Sequence, residues 1–292
     1  MRGGKAGRCK MKERDGKDEV REQVSRAYTQ AVRGGGCCSG APVQKGVAAK
    51  LAGYSREELE ALPAEAVVNS FGCGNPLAYS EVKEGEVVLD LGSGAGIDIL
   101  LAGKKVGPRG RAIGIDMTDE MLGRARENIA ASGLTNVEVR KGIIEDLPVE
   151  SGSVDWVISN CVINLSPDKP RVFAEIARVL KPGGRMQVSD IVVKDLPAWV
   201  RDDKALYNSC IAGAVSEQEY LDGLKAEGLT DVMVKERLVY DAAQIGSLIQ
   251  SELADGAGGC CGMPADNPII LEAAREFQGK VWSAKICARK PG

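Results

Sequence analysis

Residues 87–96, Val87-Val88-Leu89-Asp90-Leu91-Gly92-Ser93-Gly94-Ala95-Gly96, decide the fold. A short β-branched apolar run closes on an acid, three alternating glycines follow, and Ile97–Lys105 continues as a helix-compatible segment. Strand, glycine turn and helix in that order make a ligand cradle. Glycine lets a bound group approach the backbone, and the helix N-terminus presents oriented N–H donors. The dinucleotide fingerprint would require its third glycine at residue 97, where Ile97 stands. The spacing here is GxGxG, preceded by Asp90.

Working outward, Ala112–Asp116 reads as the next strand and ends on a second acid. Thr118 caps a helix with Met121, Leu122, Ala125 and Ile129 on one face and Gly133 as its stop. Val137–Arg140 and Val154–Ser159 read as strands, Arg171–Leu180 as a helix ended by Lys181-Pro182-Gly183-Gly184, and Arg185–Ser189 as a fifth strand. This alternation predicts an α/β, Rossmann-like, doubly wound and mostly parallel sheet. Beyond Asp190 the pattern loosens: a helix over Pro197–Asn208, a Ser216/Glu219 capping box opening a helix to about Glu227, and closing strands at Val232–Val239 and Val281–Cys287. Upstream, residues 18–33 read as a helix, residues 34–40 (GGGCCSG) as a glycine-rich loop, and Ser55 as the cap of a short helix. The expected organisation is a disordered basic tail over 1–17, a cap segment over 18–84, a ligand-binding domain over 85–240 with an insertion near 195–228, and an extension over 241–292. The tail carries seven Lys or Arg against two acids, and Met11 is an alternative start.

Composition narrows the chemistry. The 292 residues include nine cysteines and no histidine, so no Ser-His-Asp triad, Cys-His dyad or imidazole-ligated metal can exist here. A formal net charge of −3 gives no basic footprint for nucleic acid, and no stretch approaches the ~18 apolar residues of a membrane span. The chain therefore reads as a soluble, cytoplasmic protein with no nucleic-acid or membrane partner; a monomer is expected, though nothing in the composition fixes the oligomeric state. In that compartment thiols stay reduced, which argues against a disulfide scaffold. Cys9, Cys37, Cys38, Cys73, Cys161, Cys210, Cys260, Cys261 and Cys287 contain no CxxC pair, which argues against zinc.

Asp116 ends the second strand where the ribose of an adenosine would lie, with Met117 beside it. After the third strand, Gly142-Ile143-Ile144-Glu145-Asp146-Leu147-Pro148 supplies an acid, Glu145 or Asp146, that could accept from an adenine amino group, with Ile144 adjoining. Glycine loop and acids together resemble motif I and its partners in class I S-adenosylmethionine (SAM) methyltransferases. Cys161, after Asn160, ends the fourth strand at the edge where a ligand's reactive group is expected. Cys73 immediately precedes the domain and could fold over the same edge, and Cys210, after the fifth strand's helix, could reach it from the other side. Three thiols near a methyl donor suit a soft, three-coordinate acceptor such as trivalent arsenic.

The segments SFGCGNP (70–76), VVLDLGSGAGID (87–98), GIDMTDEML (114–122), SNCVINLSPDKP (159–170), RVLKPGGRMQVSDIV (178–192) and NSCIAGAVSEQEYL (208–221) resemble the arsenite methyltransferase family, over about residues 18 to 240. The resemblance implies a SAM cofactor held by Asp90, Gly92, Ser93, Gly94, Gly96, Asp116, Met117, Ile144, Glu145 and Asn160. It implies arsenic(III) bound by Cys73, Cys161 and Cys210, with Cys37 or Cys38 in a disulfide relay with Cys73. The implied substrates are arsenite and arsenite–thiol conjugates, with thioredoxin or glutathione as reductant. The arsenic lone pair would attack the sulfonium methyl, so no general base is needed. Cys260-Cys261 lies outside this match and reads either as an arsenic-capturing or electron-relaying arm or as incidental thiols. Two other readings compete: an organic acceptor, deprotonated by Asp190 or Glu217, and a non-catalytic thiol sensor.

Overall fold

The structure, a computed structural model, describes residues 16–29, 54–68, 74–77, 80–195, 211, 213–241, 245 and 276–292. The expected helix over Pro197–Asn208 and most of the basic tail lie outside these residues. One helix, α1, covers residues 16–29, and two short ones, α2 (Arg56–Glu60) and α3 (Ala64–Val68), precede the sheet. Ser55 caps α2 through a capping box with Glu58.

The seven strands are β1 (Val87–Leu91), β2 (Arg111–Asp116), β3 (Val137–Lys141), β4 (Val154–Asn160), β5 (Leu180–Val193), β6 (Thr230–Val239) and β7 (Val281–Arg289). They form one sheet in the order β3-β2-β1-β4-β5-β7-β6. β1 pairs in parallel with β2 and β4, β2 with β3, and β4 with β5, whereas β7 runs antiparallel between β5 and β6. The first five strands are thus the predicted doubly wound set. The crossovers are α4 (Ile97–Val106), α5 (Asp119–Ser132) and α6 (Lys169–Val179), and α7 (Glu217–Ala226) precedes β6.

Strand periodicity sorts the core into two layers. Val88, Trp156 and Ile158 join Ile99, Leu100 and Tyr54 on one face, while Leu89, Leu91 and Val157 join α6 and Tyr220 on the other. On α6, Val172, Phe173, Ile176 and Val179 are buried, a helical stripe in which each side chain contributes about 1.5–3 kcal/mol by leaving water. Phe173 packs on Tyr220 of α7 with ring centroids 5.1 Å apart.

Three local expectations differ from what is observed. β5 begins at Leu180 rather than Arg185, because Leu180 still pairs with Val154; a register shift then carries Lys181–Gly184 as a bulge before pairing resumes at Arg185. α6 starts at Lys169, with Asp168 accepting the Arg171 N–H at 3.3 Å. Thr118 occupies the N-cap of α5 but makes no side-chain cap bond. Its backbone N–H donates instead to Asp116 Oδ1 at 2.8 Å. No described helix is long and apolar enough to cross a membrane.

Candidate active site

Strand order reverses between β1 and β4, and the crevice outside their carboxyl ends is where doubly wound sheets bind ligands. A cleft of about 960 Å³, including its solvent-open mouth, lies there. Its floor is the loop Gly92–Gly96. Gly92, Gly94 and Gly96 all have left-handed φ, +68°, +51° and +97°, a region that disfavours side chains with a Cβ. A Cβ at Gly94 would stand in open space, so the cradle is free on its ligand side. A Cβ at Gly92 would lie 2.4 Å from Val162, so that glycine permits a close approach of two loops.

Asp116 organises this loop. Its Oδ2 accepts the Gly94 N–H at 3.0 Å, while Oδ1 holds Thr118. Burial raises its pKa, opposed by these backbone donors. Met117 lines the cleft beside it. Asn128 props the loop from behind, donating to the Ala95 carbonyl at 2.9 Å. The Ser93 hydroxyl is buried without a hydrogen-bond partner, an orphan that a polar ligand could satisfy.

A further carboxyl, Asp98, lines the cleft, and Asp90 is buried beside it. The pKa of Asp90 is pushed well up by burial and then by Asp98 and Asp116. Asp98, on the first turn of α4, is raised to about 6 by burial, against hydrogen bonds from Tyr54 and Asn160. Asp90, Asp98 and Asp116, close together and with raised pKa values, favour a cationic ligand, whose charge would hold them ionised.

On the far side, Glu145 is buried and Asp146 exposed, so Glu145 is the acid that faces the cleft, next to Ile144. Glu145 accepts from Ser166 Oγ at 2.7 Å and Arg21 Nε at 3.3 Å. Arg21 belongs to α1, which is tied down also by Lys17 to Asp168 at 2.8 Å and by Thr29 to Glu120 at 3.0 Å. α1 therefore lies along the cleft mouth. Arg21 and Tyr54 lie in no motif, whereas Asp98 and Ser166 fall within the segments 87–98 and 159–170 without marking themselves as site residues. The signal that existed was weak: Asp98 two residues beyond the last glycine.

Cys161 follows β4 at the rim, 6% exposed, with a left-handed φ of 58° and its N–H on the Ser189 carbonyl at 2.8 Å. It is disulfide-bonded. Asn160 lines the same cleft, but its amide bonds to Gly74, Tyr54 and Asp98. Cys37, Cys38, Cys73, Cys210 and the Cys260-Cys261 pair lie outside the described residues. Cys287, a free thiol, sits on β7, with burial raising its pKa.

The two acids considered as bases for an organic acceptor are occupied elsewhere, and neither lines the cleft. Glu217 forms two 2.7 Å bonds with Arg237 and accepts from Trp282, which holds its carboxyl below the usual range. Asp190 is fully buried, accepting Asn164 Nδ2 at 2.8 Å and, more weakly, Tyr220 Oη at 3.4 Å. Burial lifts its pKa to about 7, against the Ile191 N–H, Lys169, Asn164 and Tyr220.

Asp190 therefore makes stability pH-dependent. The folded chain holds the proton more tightly than the unfolded one, so its stabilising contribution is present below about pH 4 and is lost as pH rises through about 7. Asp190→Asn imitates the protonated carboxyl. Urea unfolding at pH 5 and pH 8 should show a smaller loss on going to pH 8 in the variant, by an amount on the order of 1–3 kcal/mol. Equal losses in parent and variant would place the titration elsewhere.

The strand order, the glycine loop and the acids ending β1 and β2 define a class I SAM-dependent methyltransferase fold, and a methyltransferase-domain family model matches residues 82–228. The chain belongs to the arsenite S-adenosylmethionine methyltransferase family. It is 47% identical over 193 residues to the arsenite methyltransferase of Halobacterium salinarum, covering 66% of this chain and 48% of that protein. It is 35% identical over 218 residues to the human arsenite methyltransferase, covering 69% and 56% of the two chains. The crystal structure of an arsenic(III) SAM methyltransferase from Chlamydomonas reinhardtii is similar at a TM-score of 0.60 and 34% identity, covering 85% of this chain and 73% of that one. The chain spans about half the length of the curated relatives it matches.

Proposed function

We propose that the chain methylates trivalent arsenic, taking arsenite or an arsenite–thiol conjugate as substrate and SAM as methyl donor. One observation carries this reading: a cleft of glycine backbone and buried carboxyls has a cysteine, Cys161, at its rim, in a chain without histidine.

The residues present fit SAM. The partnerless Ser93 hydroxyl and the open space over Gly94 suit a polar ligand lying on the loop, and the acids suit its two cationic groups. Asp90, Asp116 and Glu145, with the backbone of Gly92, Ser93, Gly94 and Gly96 and the side chains of Met117 and Ile144, would hold it. When bound, it supplies an electrophilic methyl group on a sulfonium. The chain's own task is placement. Cys161, with Cys73 and Cys210, would hold arsenic as thiolates at the rim. Arsenic(III) retains its lone pair in that setting, so the acceptor needs no deprotonation, in keeping with Asp190 and Glu217 being engaged away from the cleft. Alignment of this kind is worth up to about 7–11 kcal/mol of a barrier.

Cys161 must be reduced before it can bind arsenic, since its sulfur is taken up in a disulfide. Two electrons and two protons release the two thiols, and thioredoxin or glutathione is the corresponding reductant. Cys37 or Cys38, exchanging with Cys73, would relay those electrons. Cys260-Cys261 would act as a second thiol donor on the C-terminal extension. The cytoplasm, where such reductants are maintained, is the fitting compartment, and one copy of the chain is the working unit. In this reading the cap over 18–84 would bring Cys73 to a SAM-binding domain over 85–240.

The test is arsenite-dependent conversion of SAM to S-adenosylhomocysteine by the reduced protein. Turnover should need arsenite and thiol together. SAM binding without arsenite-dependent turnover, alongside tight arsenite binding, would favour a sensor.

A further inference from the structure

α6 carries a polar stripe beside its buried apolar one. Arg171, Glu175 and Arg178 are spaced four and three residues apart, so they share one helical face. Glu175 is buried, 3% exposed, yet none of the three lines the cleft. What they touch is the loop between β3 and β4. Glu175 Oε2 accepts the Leu147 N–H at 2.7 Å. Arg178 donates to the Leu147 carbonyl at 3.0 Å and to the Val149 carbonyl at 2.8 Å. Arg171 Nε donates to the Glu145 carbonyl at 3.0 Å. Four backbone groups of the loop, on residues 145, 147 and 149, are thus satisfied by side chains of one helix rather than by a neighbouring strand.

The stripe is also tied to itself. Arg178 meets Glu175 through Nε at 2.8 Å and Nη2 at 2.7 Å, a two-pronged ion pair. Burial alone would raise the Glu175 carboxyl, but Arg178, the Leu147 N–H and Arg171 outweigh it and hold the group below the usual carboxylate range. The neck of the loop is closed independently. A Cβ at Gly142 would stand 2.8 Å from Pro148, and Arg140 donates to the Pro148 carbonyl at 2.7 Å. On its other side the loop faces the cleft, where Gly142, Ile143, Ile144 and Glu145 form part of the lining. The same short loop is therefore a wall of the cleft and a ligand of α6.

We infer that Glu175 and Arg178 are positioning residues for the cofactor: from outside the cleft they fix the backbone of residues 145–149, and so set where Ile144 and Glu145 stand against SAM. The inference rests on the reading above in which this loop holds SAM. The arginine acts here as a fork and not as a charge alone. One guanidinium serves a carboxylate and two carbonyls, which the compact ammonium of a lysine cannot span.

The experiment uses the full chain and two variants, Glu175→Gln and Arg178→Lys. Hydrogen–deuterium exchange of the peptide containing residues 142–149 reports on the loop. Equilibrium dialysis, well below the melting temperature, reports SAM affinity. In the parent, bound SAM should slow exchange in this peptide. Both variants should exchange faster there while β4 exchanges as in the parent. Both should bind SAM about tenfold more weakly, the factor that corresponds to about one lost hydrogen bond to a charged group. An ion pair that only stabilised the fold would lower the melting temperature and leave the affinity of the folded chain unchanged. Parent-like SAM affinity in both variants would therefore overturn the inference. Full affinity in Arg178→Lys alone would overturn the assignment of Arg178, since its charge would then suffice. Should Glu175→Gln fail to fold, the lysine variant, which keeps the opposite charges together, carries the test. SAM that binds the parent without protecting residues 142–149 would overturn the reading of this loop as a cofactor contact, a failure distinct from that of the two positioning residues.

Discussion

Cys161→Ser should abolish arsenic methylation, by at least about 100-fold, while leaving SAM bound within a few-fold of the parent affinity. The thiol stands at the rim of the cleft, and serine preserves size and backbone. Serine carries a Cβ as cysteine does, so it adds no new strain at the positive φ of 58°. What is lost is the sulfur. A hydroxyl is a hard donor that does not ionise near neutrality, whereas arsenic(III) requires a soft thiolate. The site is 6% exposed, so no outside thiol can take the vacated position without moving the loop. Cys210→Ser should give the same result. Methylation by isolated Cys161→Ser protein at near-parent rates would remove the thiol from the reaction.

Gly92→Ala should cost more than its one methyl group suggests. The backbone there has φ +68°, where a Cβ is strained by about 1–2 kcal/mol. The new atom would also meet Val162 at 2.4 Å, an overlap that overpacked cores relieve at a cost of about 1–3 kcal/mol. Val162 adjoins Cys161, so relief comes either by moving the cofactor loop or by moving the thiol. Both SAM affinity and arsenite affinity should fall, each by about tenfold or more, with a lower melting temperature. Gly94→Ala, with the same sign of φ but open space around its Cβ, should spare the fold and weaken SAM alone. Identical behaviour of the two alanine variants would mean that the Gly92–Val162 contact couples nothing.

The parts legible in the sequence were those written in local periodicity. The strand, glycines and helix from Val87 to Lys105 predicted β1 and α4, and the acids Asp90 and Asp116 fell at strand ends because parallel strands deliver their last residues to one edge. Cys161 was legible for the same reason. The long-range parts were not. Arg21 meets Glu145 across 124 residues, Tyr54 meets Asp98 across 44, and Asn164 meets Asp190 across 26. Each is an ordinary polar residue until packing brings its partner near. Asn160 was legible as a site residue by its place at the end of β4, where it does line the cleft. Its bonds to Gly74, Tyr54 and Asp98 were not legible, since those partners come from distant parts of the chain. The start of β5 escaped for a different reason: Lys181-Pro182-Gly183-Gly184 has turn chemistry, and the pairing of Leu180 with Val154 overrides it.

On the function proposed above, the buried acids and the thiol at the rim serve one reaction on arsenic. The most direct measurement is to incubate the reduced protein with methyl-labelled SAM, arsenite and a thiol, then separate the arsenic species by chromatography with arsenic-specific detection. The prediction is label in methylated arsenic, formed in step with S-adenosylhomocysteine and absent when Cys161 is serine. Bound SAM and bound arsenite with no label in any arsenic species would contradict it.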